Sequence, residues 1–230
     1  MRDSSISPQI LILLFIFIVL VPLSPLLITQ RWGWWEAWVY ALIHILGFAA
    51  SRALAARKHP DLLKERANYL HQEDAEAWDK ILSPLIGLGG GSIPLVAGLD
   101  VLFGWSTTAS LSLKFFALVL ILFGYALGSY ALVVNPFFSG KVRIQTDRGH
   151  QVVTRGPYRW VRHPGYAGAL LTYLASPIFL DALWSFIPAA FVTVGTLIRT
   201  QFEDKSLEDR LSGYQEYKSQ VQYRLIPGIW

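Results

Sequence analysis

The sequence predicts an all-α integral membrane protein of about five to six transmembrane helices. Its C-terminal half is expected to build a polar, aromatic-lined pocket at the cytoplasmic face. Three observations carry this prediction. Hydrophobic residues make up 53% of the 230 and charged residues only 16%, against roughly 25% charged in an average soluble domain. The apolar residues come in blocks long enough to cross a bilayer. All basic residues except Arg31 and Lys114 fall in segments that alternate crossings place on one side, as the positive-inside rule requires of the cytoplasmic face. On this reading both termini are cytoplasmic and the chain is a single membrane domain. Residues 1–134 hold four spans, and residues 135–230 hold a loop, a helical hairpin and an amphipathic tail. The formal charge of +4 fits topology and attraction to an anionic lipid surface rather than nucleic acid. The lack of cysteine excludes disulfides, thiolate metal sites and a cysteine nucleophile.

Ile10–Ile28 is the first crossing. Its weak basic start (Arg2), its lack of a small-x-small cleavage pattern, and Pro22 and Pro25 favour an uncleaved span over a signal peptide. After a turn at Gln30–Gly33, Trp34–Ala56 crosses back. It opens on Trp34, Trp35 and Trp38, a cluster typical of a membrane–water boundary. His44 inside it reads as bonded to a helix carbonyl, with a pocket role as the minority reading. Residues 57–80 form a charged loop in which His59-Pro60 stops the helix and Asp61–Tyr69 looks like a short surface helix. His71, Glu73, Asp74 and Glu76 lie close together but lack the paired spacing of metal ligands, so they read as a solvated loop with no metal. Ile81–Phe103 is a third crossing, broken at Pro84, Gly89-Gly90-Gly91 and Pro94. Its glycine run lacks the lysine and Ser/Thr of a phosphate loop and suits close helix packing. Leu113–Val134 is a fourth crossing, with Gly124 and Gly128 at small-xxx-small spacing.

Asn135-Pro136 ends that span, and residues 138–161 read as a loop with extended patches. The apolar run from Gly165 to Ile198 is too long for one helix of about 20 residues. Pro177 and Asp181 near its middle predict a tight hairpin. From Arg199 the chain turns amphipathic, with Leu207, Leu211, Tyr214 and Val221 near helical spacing, which predicts a surface helix folded under the bundle. Gly156–Gly168 cannot be helical throughout, because Pro157 and Pro164 lack an N–H and disfavour helix in the preceding residue. A hairpin returns to the face it left, bringing Arg199 and Glu203 (i, i+4 on one helix face) beside Tyr158, Arg162, His163 and Tyr166. Alone, that pair would be a surface salt bridge. Among these rings it suits a bound cation, and the arginine suits a lipid-borne carboxylate or phosphate.

The motifs that fill this region are His150-Gln151-Val152-Val153, Gly156-Pro157-Tyr158, Arg162-His163-Pro164-Gly165-Tyr166-x-Gly168, Arg199-Thr200-Gln201-Phe202-Glu203-Asp204 and Gly213-Tyr214-x-x-Tyr217. In order and spacing they resemble the isoprenylcysteine carboxyl methyltransferase and phospholipid methyltransferase superfamily of membrane enzymes over about residues 135–230. In the first half only a weaker pattern, Pro60, Glu65-Arg66 and Trp78-Asp79-Lys80, matches. The resemblance implies an S-adenosylmethionine-dependent methyltransferase acting on a carboxylate or amine of a lipidic or prenylated substrate. The implied cofactor contacts are Gln145, His150, Gln151, Val152, Val153, Tyr158, Arg162, His163, Pro164, Gly165, Tyr166 and Glu203. Arg199 falls on the position associated with the substrate carboxylate, and Arg199 and Glu203 are the implied catalytic pair. The family often carries a run of glutamates where this chain has Gln201-Phe202-Glu203-Asp204. Two other classes compete. A membrane reductase of the sterol or steroid reductase type would use a nicotinamide cofactor, with Arg143, Arg148, Arg155 and Arg159 available for its phosphates. A non-enzymatic scaffold or transporter component would place its polar residues at the bilayer midplane, where His44 and Asp100 are too few to trace a path.

Overall fold

The computed structural model describes residues 8–67, 69, 72 and 74–230. Arg2, His71 and Glu73 lie outside them. The regular structure among the described residues is helical, without strands. Five helical segments are long and apolar enough to cross a membrane. The first is built from α1 (Pro8–Phe15), one π turn and α2 (Val21–Thr29). The others are α3 (Trp35–Lys58), α5 (Asp79–Phe103), α6 (Leu111–Val134) and the segment ending in α8 (Phe186–Arg210). Between the last two lies α7 (Pro164–Phe179), whose 16 residues rise roughly 24 Å at 1.5 Å each. It is a shorter sixth rod, packed most extensively on α6 and then on α8. Phe115, Phe116, Val119, Leu122 and Phe123 point outward from α6, as a lipid-facing surface requires.

The hairpin closes where the proline and aspartate predict. Leu180 N–H donates to Ser176 O and Ala182 N–H to Pro177 O. Asp181 takes the left-handed region at φ 54°, which Asp tolerates better than most residues. Its carboxylate accepts from Ala109 N–H at 2.7 Å and from Lys114 at 2.5 Å, and Lys114 also reaches Glu36 at 2.5 Å. This buried triad ties α3, α6 and the hairpin together at the end of the bundle away from the 135–163 loop.

Three expectations change. Residues 79–103 form one unbroken helix through both prolines and the glycine run. Within a bundle, neighbouring groups can satisfy the carbonyls a proline frees. Beside Pro94, which frees the Gly90 carbonyl, Ser92 Oγ donates to Gly89 O and Ser185 Oγ to Ile93 O, side-chain bonds that reinforce the helix there. A Cβ on Gly89 would lie 2.6 Å from Val192 Cγ1, so the glycine lets α5 meet α8. Next, the segment after Arg199 is not a separate surface helix, because α8 continues to Arg210 and only the short α9 (Tyr214–Gln220) follows. Finally, the acidic loop is not simply solvated. α4 (Pro60–Ala67) and residues 74–79 pair with basic groups of the second half, as described below. Gly124 and Gly168 make the α6–α7 crossing. A Cβ on Gly124 would meet Gly168 O at 2.5 Å, so the two backbones touch, which is the physical content of small-xxx-small spacing.

Candidate functional site

α7 and α8 deliver the two halves of the site to one place. His163 precedes α7, and its ring lies parallel to Tyr166 with centroids 5.7 Å apart. Tyr166 Oη donates to Glu203 Oε2 at 2.5 Å. The Arg199 guanidinium lies 5.4 Å from the centroid of the same ring. Tyr166 therefore bridges the i, i+4 pair that the sequence placed on one face.

These groups open on a narrow cleft of about 100 Å³. It is lined by Gln145, His150–Val153, Tyr158, Arg162, His163, Gly165, Tyr166, Arg199 and Glu203, with Leu207, Leu211, Tyr214 and Tyr217 beneath. Each of the expected site residues except Pro164 lines it, and Pro164 is the buried first residue of α7. The aromatic floor is braced by hydrogen bonds. Tyr217 Oη donates to Tyr158 O at 2.7 Å, and Asn135 Nδ2 donates to Tyr158 Oη at 3.0 Å.

Lining the cleft is not the same as being available to a ligand. Gln145 is 1% exposed, its amide nitrogen donates to Phe137 O at 2.7 Å, and Arg148 holds its carbonyl oxygen. Arg162 donates Nε and Nη2 to the two Asp204 oxygens at 2.8 Å each, and Nη1 to Val221 O and Gln222 O. It clamps the chain end rather than reaching into the cleft. Arg199 gives its bidentate edge to Asp79, at 2.7 and 2.9 Å, and a further bond to Gly140 O. His150 Nδ1 accepts from Gln145 N–H at 3.3 Å, which requires the neutral ring. Burial, then Arg143 and Arg148, pushes its pKa down to about 4.

Two carboxylates outside the expected site residues organise the site. Asp204, 1% exposed, gathers Arg162, His163, Tyr214 and Arg224. It sits one residue past Glu203, about 100° around the helix, so it faces the protein interior while Glu203 faces the cleft. Asp79, fully buried, holds Arg199 and also accepts from Val142 N–H at 2.6 Å. Arg143 meets Glu65, Asp74 and Asp147, and its Glu65 bonds, outweighing burial, keep it protonated well above its ordinary range. Glu76 pairs with Arg210. Of these carboxylates, Glu65 and Asp79 belong to the weak first-half pattern and Asp204 closes the Arg199–Asp204 motif.

Residues 117–209 match the isoprenylcysteine carboxyl methyltransferase (ICMT) family. Through that segment the chain is similar to the ICMT family, in line with the resemblance of its motifs. The matched stretch runs from mid-α6 to the end of α8 and so holds both halves of the cleft. A probable protein-S-isoprenylcysteine O-methyltransferase of Oryza sativa subsp. indica is 31% identical over 68 residues, which is 29% of this chain and 36% of that protein. The uncharacterized protein YpbQ of Bacillus subtilis (strain 168) is 35% identical over 66 residues, 26% of this chain and 37% of that one. The Delta(14)-sterol reductase TM7SF2 of Mus musculus is 31% identical over 99 residues, 42% of this chain and 24% of the reductase. The chain thus spans between about a quarter and just over a third of the length of these relatives.

Proposed function

We propose that the protein transfers a methyl group from S-adenosylmethionine to a carboxylate or amine of a lipidic, isoprenoid-bearing or otherwise prenylated substrate at the membrane–cytoplasm boundary. The observation that carries this reading is the cleft itself. A carboxylate, stacked rings and an arginine converge within the segment matched by the ICMT family, at the end of an apolar bundle. The cleft's chemistry fits the cofactor. Among the described residues only Tyr166 donates to Glu203, so the other oxygen can meet an ammonium or hydroxyl group. The rings of Tyr158, His163 and Tyr166 suit a sulfonium or a purine, and the 150–153 backbone runs along the wall. S-adenosylmethionine supplies an electrophilic methyl group. Glu203, Tyr158 and Tyr166 orient it, and the aromatic floor excludes water, so alignment provides the rate. A carboxylate acceptor needs no base, whereas an amine would use Glu203 or His163. Arg199, oriented by Asp79, adds positive charge where the acceptor enters. The basic-residue bias supports a cytoplasmic location for the cleft and both termini.

Calorimetry with S-adenosylmethionine, followed by a labelled-methyl assay on a lipid extract, tests this. Binding by wild type, weakened roughly tenfold in Glu203→Gln through loss of a charged hydrogen bond, is the expected result. No binding by folded wild-type protein overturns the reading. The second reading, a nicotinamide-dependent reductase, is favoured by the likeness to the sterol reductase. Against it, Arg143 and Arg148 are already committed to Glu65, Asp74, Asp147, Gln145 and the Pro136 carbonyl.

A further inference from the structure

A second cavity of about 380 Å³ lies within the bundle, bordered by Tyr40, His44, Arg52, Tyr125, Thr172, Tyr173 and other residues of the first and middle spans. It shares Phe138 and Gly165 with the cleft. Arg52 is its one lining arginine, set in α3 six residues before that helix ends, roughly 9 Å along the axis. An arginine so placed ordinarily snorkels toward the nearer interface. This one does the reverse. Its guanidinium lies 4.5 Å from the centroid of Phe48, one turn deeper, and donates to Ser51 Oγ at 3.3 Å. Among the described residues no carboxylate pairs with it.

Arg66 of α4 stands beside the same wall. It donates to Phe138 O at 3.0 Å and lies 5.6 Å from that ring's centroid. Burial, and then the charges of Arg52 and Arg199, push its pKa down to about 9, so the three guanidinium groups lie within electrostatic range. Among the described residues only Arg199 of the three has a carboxylate partner. Two half-buried cations without an acidic partner among the described residues, at the junction of two cavities, call for an anion, because a desolvated unpaired charge is costly.

We propose that Arg52, supported by Arg66, receives the carboxylate or phosphate head of an amphiphile whose tail occupies the intramembrane cavity. This deepens the methyl-transfer reading and rests on it for the identity of the acceptor, while Arg199, already spent on Asp79, keeps a secondary place. The head is then held against the Phe138–Gly165 wall, with the cleft on the other side.

The test is calorimetric binding of farnesylthioacetic acid, farnesyl monophosphate and farnesol to the full chain in detergent, with S-adenosylmethionine binding measured on the same samples. In wild type at least one of the two anions binds about tenfold or more tightly than the alcohol, the size expected for a charged hydrogen-bonded pair, and the tighter anion identifies the head. R52Q brings the anions to the level of farnesol, R52K keeps part of the difference, and both leave S-adenosylmethionine affinity within about twofold. Equal binding of anions and alcohol by wild type, or an undiminished difference in R52Q, overturns the proposal. If the anions discriminate as expected but S-adenosylmethionine does not bind, the methyl-transfer reading fails and the Arg52 site stands.

Discussion

Asp204→Asn offers the sharpest test of how the cleft is held together. The carboxylate accepts from Arg162 Nε and Nη2 at 2.8 Å each, from Tyr214 Oη at 2.7 Å and from Arg224 Nε at 2.9 Å, and meets His163 Nε2 at 3.1 Å. The Asp204 and Arg162 side chains are 1% and 2% exposed. The amide keeps the volume but removes the charge and turns one acceptor into a donor facing a guanidinium. Removing one partner of a buried ion pair costs about 3–5 kcal/mol. A chain of this size loses roughly 2–4 °C of melting temperature per kcal/mol, so a fall of roughly 6–20 °C is expected. Asp204 does not line the cleft, so S-adenosylmethionine affinity drops only through displacement of His163 and the Tyr166 ring parallel to it. Thermal unfolding in detergent, followed by intrinsic tryptophan fluorescence, reads the first effect, and calorimetry reads the second. Melting within about 2 °C of wild type with unchanged affinity would refute the assignment of Asp204 as the organising charge.

Gly168→Ala pushes a methyl group into the α6 backbone, 2.9 Å from Gly128 N. Overpacking of this kind costs about 1–3 kcal/mol, read as a lower melting temperature together with weaker cofactor binding as Tyr166 moves off Glu203. The His150 ring gives a pH dependence. Its folded pKa is lowered to about 4, so between about pH 6.5 and pH 4 the unfolded chain takes up a proton that the folded chain refuses. Stability therefore falls as pH falls through that window. His150→Gln, which cannot titrate, should show a flatter melting-temperature profile there, and matching slopes would sink the argument. In a thermal-shift comparison, S-adenosylmethionine should raise the melting temperature and NADPH should not, since only a bound ligand stabilises by mass action; the reverse result selects the reductase reading.

The sequence by itself determined the class, the hairpin and the cleft-facing residues. Long apolar blocks and the scarcity of charge force a helical membrane bundle, because backbone groups in lipid must be satisfied within a helix. Pro164, Pro177 and Asp181 fix where α7 starts and where the chain turns back, and the 3.6-residue period places Arg199 and Glu203 on one face. What the tertiary structure decided was which charges are free. Composition and spacing cannot tell a guanidinium already clamped by a carboxylate from one left open, because the partners are distant in sequence. Asp79 reaches Arg199 and Glu65 reaches Arg143 from the first half of the chain, where the family motifs are weakest. Local rules likewise predicted a break at Pro84, Gly89–Gly91 and Pro94, yet α5, packed against α8, runs through all three as one helix. The same distinction turns Arg52, which in the sequence is one basic residue among those of the cytoplasmic side, into an arginine that points into the bundle with no acid to meet it among the described residues.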